Sequence, residues 1–268
     1  MQRPCRFCRL ITKLPHVLKN TICMKSTPLE NIRIVLSHTS HAGNIGAAAR
    51  AMKTMGLKSL YLVNPKSFPD KEADIRAVSA RDVLNQATVC SSLDEALQDT
   101  VLAAALTSRS REFEHETHDA KTGAGILLEH ACQHPVALVF GAETSGLSAI
   151  EVSKCQLQIY IPANPEYPSL NLASAVQVIA YELQMAAQTS DQKNHISVPA
   201  EPATLNDIEQ FYQHLERVMI RIDFFNPHQP KKLLQRIRRL YSRTRLEKEE
   251  INILRGMLKA MEKKLPGK

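Results

Sequence analysis

The sequence lacks a hydrophobic run long enough to cross a membrane. About 18 consecutive apolar residues are needed, and the best candidate is interrupted by Gln177 and Glu182. The six cysteines are scattered, and the close pair Cys5 and Cys8 has no second pair at zinc-ribbon spacing. These absences argue against a membrane protein, a disulfide framework and a metal site, and they favour a reducing, cytoplasmic location.

Acidic residues are absent from residues 1–25, which carry six Lys or Arg. Residues 231–268 carry 13 basic residues against four glutamates, whereas residues 26–230 carry 15 basic and 23 acidic residues. The net charge of +7 is therefore concentrated at the ends, and a polyanion is expected to bind the C-terminal part. We expect residues 1–25 to be a flexible basic segment outside the fold. Three interpretations stay open: a flexible basic arm, sequence upstream of a start at Met24, which we favour, and a transit peptide.

Strand-like and helix-like patterns alternate from Ile32 to residue 188. The strand-like runs are NIRIVLSH, SLYLVNP, ATVCSS, VLAAALTS, PVALVFG and LQIYIP. The helical patterns are AGNIGAAARAMKTMG, ended by Gly56, then 73–86, LDEALQD with Ser92 as its cap, 121–133, GLSAIEVSKC and 170–188. A charged, His-containing loop is expected after VLAAALTS. This alternation predicts an α/β fold with a mainly parallel sheet covered on both faces, in residues 26–188.

A small, basic, all-helical extension is predicted over residues 205–268. Polar and Pro-containing residues 189–204 precede it and read as a linker. Its first helix should span 205–225 and end at Asn226-Pro227. Because the extension has too few apolar residues for a large core of its own, we expect it to pack on the main domain or on a second subunit.

Three polar loops follow predicted strands, at the edge where parallel sheets bind ligands. They are SHTSHAGNIGAAAR (37–50), FGAETSGLS (140–148) and PANPEYPSLNLASAVQ (162–177). None is a GxGxxG or GxxxxGK[ST] phosphate motif, which argues against a nicotinamide or ATP site. Structural explanations remain open for their polar residues: a surface salt bridge for Arg50, a helix-capping turn around Glu143 and an N-cap for Ser169.

The order of these loops resembles a known family. NIGAAARAMKTMG, LVFGAETSGL and IPANPEYPSLNLASAVQVIAYE are similar to the three motifs of the SPOUT methyltransferases. The similarity is closest to the TrmJ branch of the TrmH-type family, which are tRNA ribose 2′-O-methyltransferases. The C-terminal FFNPHQPKKLLQRIRRLYSRTRLEKEEINILRG resembles the extension of that branch. The resemblance implies a C-terminal trefoil knot, a homodimer, S-adenosyl-L-methionine as cofactor and tRNA as substrate, with no metal.

The resemblance also implies roles for individual residues. Catalysis would involve Arg50, Ser169, Asn44 and Glu143. The cofactor would contact Leu106, Thr107, Ser108, Gly141, Ile161, Pro168, Ser169 and Leu170. The basic cluster expected to bind RNA comprises Arg236, Arg238, Arg239, Arg243 and Arg245. Residue 142 departs from the branch, because it is alanine where arginine is common, and this removes one cation near the RNA phosphate.

The implied reaction is methylation of a cytidine or uridine ribose, at position 32 of the anticodon loop. Two alternatives stay open from the sequence: a 2′-O-methyltransferase acting on ribosomal RNA, and an RNA-binding relative without catalysis. A nucleotide-dependent dehydrogenase is disfavoured, because the phosphate-binding glycine pattern is missing.

Overall fold

The computed structural model describes residues 27–108, 116–190, 201–230 and 232–264. Within these residues, seven strands form a single parallel sheet. The strands are β1 (Ile32–Ser37), β2 (Ser59–Val63), β3 (Thr88–Cys90), β4 (Leu102–Leu106), β5 (Glu116–Asp119), β6 (Val136–Phe140) and β7 (Leu157–Tyr160). Their order across the sheet is β3-β2-β1-β6-β4-β7-β5. The predicted parallel sheet is therefore confirmed, while the expectations for residues 1–25 lie outside the described residues.

The central strands are buried on both faces, which explains their continuous apolar runs. All five residues of β6 are buried. Successive side chains point to opposite faces, so Leu138 and Phe140 join one hydrophobic core and Val139 joins the other. Two apolar layers, one on each side of the sheet, follow from this alternation.

Ten α-helices cover the sheet and form the C-terminal unit in the described part of the chain. They are α1 (Ala42–Thr54), α2 (Lys71–Ala77), α3 (Arg81–Asn85), α4 (Leu93–Leu97), α5 (Ala120–Ala131), α6 (Ala149–Lys154), α7 (Leu172–Ser190), α8 (Leu205–Arg221), α9 (Leu233–Ser242) and α10 (Lys248–Lys264). The first core contains residues of α1, α5 and α7, and the second contains residues of α4 and α6. None of the described helices combines the length and hydropathy that crossing a bilayer requires.

Local signals account for several helix boundaries. Ser92 caps α4, because its side chain accepts a hydrogen bond from the backbone N–H of Glu95, as predicted. Gly56 follows α1 with φ of 76°, a conformation that favours glycine. Ser148 and Glu151 form a reciprocal capping box at the start of α6.

Two predicted segments differ from the structure. The helical segment predicted over 73–86 is present as far as Asn85, but a 3₁₀ turn at Val78–Ala80 divides it into α2 and α3, and Val78 has φ of 51°. The charged loop expected after VLAAALTS is wrong in its last part, where Glu116–Asp119 forms the edge strand β5, paired with β7. The sequence ETHD has no apolar run. An edge strand is paired on one side only, and the residues of β5 are at least partly exposed, so this strand does not need an apolar pattern.

The C-terminal unit has a small core of its own. Phe211, Val218, Leu246, Ile251 and Leu258 are buried together. The unit also packs on the main domain, as expected: Leu205 joins the second core of the sheet, and its N–H donates to the carbonyl of Thr100 at 2.9 Å. The predicted helix over 205–225 ends earlier, at Arg221.

Only part of the predicted linker lies within the described residues. Helix α7 continues to Ser190, and residues 191–200 are outside the description. Ala203 is buried against the C-terminal unit, and its N–H donates to the carbonyl of Leu246 at 3.0 Å. The last residues before α8 are therefore held against that unit.

Candidate functional site

The loops after β4, β6 and β7 converge because these three strands are neighbours in the sheet. Strands β6, β4 and β7 are adjacent and parallel, so their carboxyl ends meet at one edge of the sheet. This edge is where open parallel sheets bind ligands. The N–H of Thr107, just after β4, donates to the carbonyl of Ile159 in β7 at 3.0 Å and extends the pairing into the loops.

A cleft of about 280 Å³ opens between these loops. All eight residues expected to contact the cofactor line it: Leu106, Thr107, Ser108, Gly141, Ile161, Pro168, Ser169 and Leu170. Its walls combine apolar side chains with hydroxyl groups and loop backbone. Apolar walls with a few polar groups are typical of small-molecule sites and suit an adenosine joined to a charged amino acid.

The loop after β6 folds back tightly on itself. Ala142 and Gly146 pair as an isolated antiparallel bridge, and Gly146 has φ of 66°. A Cβ atom on Gly141 would collide with the backbone of Gly146 and Leu147. Glycine is therefore required at 141 for the turn itself, which brings bare backbone to the wall of the cleft.

Glu143 holds the loop after β1 in place. Its carboxylate accepts hydrogen bonds from the backbone N–H groups of Ser40 (2.9 Å) and His41 (3.2 Å) and from Nδ2 of Asn44 (2.8 Å). Burial alone would raise its pKa, but these hydrogen bonds outweigh burial and lower the pKa of Glu143 to about 2. These contacts give Glu143 a positioning function at neutral pH.

Asn44 links this loop to the loop before α7. Its Oδ1 accepts a hydrogen bond from Nδ2 of Asn171 at 3.1 Å. Asn171 in turn caps α7, because its Oδ1 accepts from the N–H groups of Ala173 (2.9 Å) and Ser174 (3.4 Å). One hydrogen-bonded series thus connects all three polar loops.

The N-cap explanation for Ser169 is wrong, since Asn171 has that function. Ser169 is exposed and lines the cleft, so its hydroxyl is available to a ligand. No role was predicted for Asn171 from the sequence. Its signal was present, because an Asn directly before an Ala-rich helix is a preferred N-cap.

Arg50 stands apart from the cleft. It lies in the third turn of α1, is exposed and is not among the cleft-lining residues. Within the described parts of the chain, no acceptor forms an ion pair with its guanidinium, so the salt-bridge explanation gains no support. The structure therefore brings Asn44, Glu143 and Ser169 together but leaves Arg50 outside this group.

The five C-terminal arginines divide into two sets. Arg236, Arg239 and Arg243 line a shallow surface groove together with Leu240. We call it the arginine groove. Arg238 instead makes a bidentate pair with Glu209 (2.6 and 2.8 Å) and lies 4.5 Å above the ring of Tyr212. Arg245 pairs with Glu116 at 3.3 Å.

This division changes the expected RNA surface. Arg238 and Arg245 are held by partners inside the protein, and the position of Arg238 differs from the exposed cation that the sequence suggested. Arg236, Arg239 and Arg243 are the members of the cluster that line the arginine groove. A metal site is a separate question. Among the described residues, no group of three or more His, Cys, Asp or Glu side chains could hold a metal ion.

Comparisons with known proteins agree with this geometry. A sequence model of the SpoU rRNA methylase family matches residues 31–181, and a model of the TrmJ tRNA methyltransferase C-terminal domain matches residues 206–268. A relative from Klebsiella pneumoniae, a tRNA (cytidine/uridine-2′-O-)-methyltransferase TrmJ, is 46% identical over 244 residues, covering 90% of this chain and 100% of that protein. A relative of the same name from Pectobacterium atrosepticum is 46% identical over 237 residues, covering 88% of this chain and 98% of that protein. The crystal structure of TrmJ from Z. mobilis ZM4 is 31% identical with a TM-score of 0.77, covering 86% of this chain and 98% of that one.

Proposed function

Because the chain belongs to the SpoU methylase family and carries a TrmJ-type C-terminal domain, we propose that it methylates the ribose 2′-hydroxyl of cytidine or uridine in tRNA, with S-adenosylmethionine as methyl donor. The observation that carries the proposal is the single cleft lined by all eight expected cofactor contacts. These residues come from three separate loops, so their convergence is independent of the motif order that suggested them.

S-Adenosylmethionine supplies a methyl group on a positively charged sulfonium, which is already electrophilic. The protein therefore needs to place the 2′-hydroxyl in line with the methyl group and to stabilise the charge that develops on its oxygen. Ser169, exposed in the cleft, and Asn44, fixed by Glu143 and Asn171, position the ribose. No metal is needed for this chemistry.

Arg50 serves as a cation rather than as a base, because guanidinium stays protonated in proteins. It orients the phosphate of the target nucleotide and stabilises the nascent alkoxide. Its exposed position outside the cleft supports a homodimer in which Arg50 approaches the cleft of the other protomer.

The sheet order supports the trefoil knot as part of the same proposal. Strand β6 lies between β1 and β4, and β7 lies between β4 and β5, although both follow these strands in the chain. A C-terminal segment threaded through an earlier loop would produce this order. The proposal also includes the homodimer, the knot and a cytoplasmic location.

The substrate class rests on the C-terminal domain. The family model is named for ribosomal RNA, but the second matched model and the relatives are named for tRNA. The arginine groove provides cations that contact the phosphate backbone without reading sequence. Ala142 lines the cofactor cleft, where the family's usual arginine would add one more cation.

Incubation with tritiated S-adenosylmethionine and total RNA tests the proposal. We expect label in tRNA, and mass spectrometry of nuclease fragments should locate a 2′-O-methyl group at position 32. Label confined to ribosomal RNA would select the alternative acceptor. Titration calorimetry that detects no binding of S-adenosylmethionine, together with no label in any RNA, would leave a non-catalytic RNA-binding protein.

A further inference from the structure

A second cavity lies between the main domain and the C-terminal unit. It has a volume of about 190 Å³ and is bounded by the start of β4, the end of α5 and residues of α8 and α9. We call it the inter-unit cavity. Leu102 lines it, whereas Leu106 at the other end of β4 lines the cofactor cleft. Four residues of strand, roughly 13 Å, separate these positions, so the two sites lie at opposite ends of the strands.

The interior of the inter-unit cavity is apolar and aromatic. Leu102, Ile208 and Leu246 contribute aliphatic side chains. Tyr212 and Tyr241 contribute rings whose centres are 6.3 Å apart. Apolar and aromatic walls favour a flat, unsaturated ligand.

Polar groups without protein partners lie on the same walls. Within the described residues, the side chains of His130 and His134 form no hydrogen bonds, although both are half-buried. Burial, and then the nearby Arg245, lower the pKa of His130, so its ring is neutral at pH 7 and offers one donor and one acceptor. These ring nitrogens are therefore available to a ligand with matching hydrogen-bond groups.

The charges at the cavity are mixed. Glu129 and Glu247 line it together with Arg245, whose guanidinium is already paired with Glu116. Two carboxylates disfavour an anion, and the arginine disfavours a cation. The composition favours a neutral ring that carries both hydrogen-bond donors and acceptors.

Helix α9 places this cavity beside the arginine groove. Tyr241 and Ser242 line the cavity, while Leu240 and Arg243 line the groove. The two features are thus about one helix width, roughly 10 Å, apart. A cationic strip next to an aromatic pocket is the arrangement that binds unpaired nucleotides, with the strip on the phosphates and the pocket around a base.

We propose that the inter-unit cavity binds an unstacked nucleobase. Its size is sufficient, since a cavity of roughly 150 Å³ holds benzene and this one measures about 190 Å³. The base belongs to a nucleotide of the bound RNA other than the one methylated, because the cavity and the cofactor cleft lie at opposite ends of the strands. The RNA source rests on the proposed function, whereas binding of a free nucleoside does not.

The first experiment uses the four free nucleosides. Saturation-transfer NMR on the full chain, with the cofactor cleft filled by S-adenosylhomocysteine, should show transfer to at least one nucleoside. The double variant His130→Ala/His134→Ala should lose this signal, and His228→Ala, which changes an exposed histidine elsewhere, should keep it. Gln133→Ala, at an exposed position of the cavity, provides a second test that leaves the core intact.

The second experiment uses tRNA. The double variant should bind tRNA about tenfold more weakly, the size of one lost base contact, while its kcat at saturating tRNA stays unchanged. Tyr241 should crosslink to a photoreactive base in bound tRNA. A tRNA effect without nucleoside binding assigns the site to RNA alone, and nucleoside binding without a tRNA effect assigns it to free nucleosides.

The proposal is overturned if wild type and folded variants behave alike in both experiments. Such a result would not affect the proposed methyl transfer, which is measured separately with wild-type protein. Conversely, an inactive but nucleoside-binding protein would contradict the proposed function and leave this cavity's assignment in place.

Discussion

Arg50 is exposed on α1 and belongs to no ion pair with the described residues, so its guanidinium is accessible to a substrate. We predict that Arg50→Ala lowers kcat about a hundredfold, because one charge-stabilising contact in the transition state is lost. Titration calorimetry should find the affinity for S-adenosylmethionine unchanged. Lys53→Ala is the matched control, since Lys53 lies one turn later and bonds Asp82 at 2.8 Å. Near-full activity of Arg50→Ala would rule out its assigned role.

Glu143 gives a pH-dependent prediction. Its pKa is lowered from 4.5 to about 2 in the folded protein, so its ionised form stabilises the fold above pH 4.5 and this stabilisation is lost as the pH falls towards 2. We predict that Glu143→Gln lowers the free energy of unfolding at pH 7 and that the difference from wild type shrinks below pH 4.5. Urea titrations at a series of pH values measure this difference.

Glu166→Gln is the control for that series, because Glu166 is exposed. A constant difference between wild type and Glu143→Gln from pH 7 to pH 3 would contradict the assigned hydrogen bonds.

The residues of the cofactor cleft could be predicted from motif resemblance, but their mutual contacts could not. Asn44 and Asn171 are separated by 127 positions and bond each other directly. Propensity identifies each as a loop or cap residue, whereas only the strand order β1-β6-β4-β7 brings their loops together. The position of Arg50 outside the cleft was also beyond the sequence pattern.

Two glycines within helices test packing at the scale of an element. A Cβ atom on Gly46 would collide with the backbone carbonyl of Ala73, where α1 crosses α2, whereas one on Gly125 in α5 meets nothing within 4 Å. We predict that Gly46→Ala destabilises the protein by roughly 2 kcal/mol. Gly125→Ala should stabilise it by about 0.5–1 kcal/mol through helix propensity. Thermal unfolding of both variants gives the comparison, and equal effects would contradict the close helix crossing.

We expect the arginines of α9 and its C-cap Arg243 to have two different functions. We predict that changing Arg236, Arg239 and Arg243 to alanine weakens tRNA binding and lowers its salt slope by about 2–3, one unit for each lost phosphate contact. Filter binding at several salt concentrations measures this slope. An unchanged slope would exclude the arginine groove from the RNA interface.

Arg238→Ala is the contrasting variant on the same helix. It leaves Glu209 unpaired in a half-buried site, so we expect a loss of about 2 kcal/mol in stability, between the values for surface and buried pairs. Its salt slope should stay close to that of wild type. These point variants are sharper than deletion of residues 231–268, which would also remove Leu246, Ile251 and Leu258 from the small C-terminal core.

Elements with strong periodicity were predictable, and those shaped by tertiary contacts were not. The apolar run of β6 and the Ser92 cap of α4 follow from local sequence. The edge strand β5 has no apolar signal, because it is recruited by pairing with β7. The break at Val78 is equally hidden, since a β-branched residue rarely adopts a positive φ.

The proposed homodimer makes a prediction for the whole molecule. If Arg50 of one protomer serves the cleft of the other, then Arg50→Ala and Ser169→Ala subunits should complement each other after mixing and reassociation. Half of the dimers are then mixed, with one intact site each, so about a quarter of wild-type activity should return. Sedimentation must show dimers in the same samples. Dimers without recovered activity would place both residues in one protomer's site, and a monomer would contradict the homodimer.

The sheet order has a consequence for synthesis of the protein. Strand β6 occupies the gap between β1 and β4, and β7 the gap between β4 and β5, so the middle of the sheet is completed by its last two strands. A nascent chain that has left the ribosome only as far as β5 can pair β1, β2 and β3 with one another, but β1, β4 and β5 still lack the neighbours that β6 and β7 provide. Pairings this distant in sequence form slowly, so the sides of β1 and β4 that face β6 stay unpaired until β6 has been made.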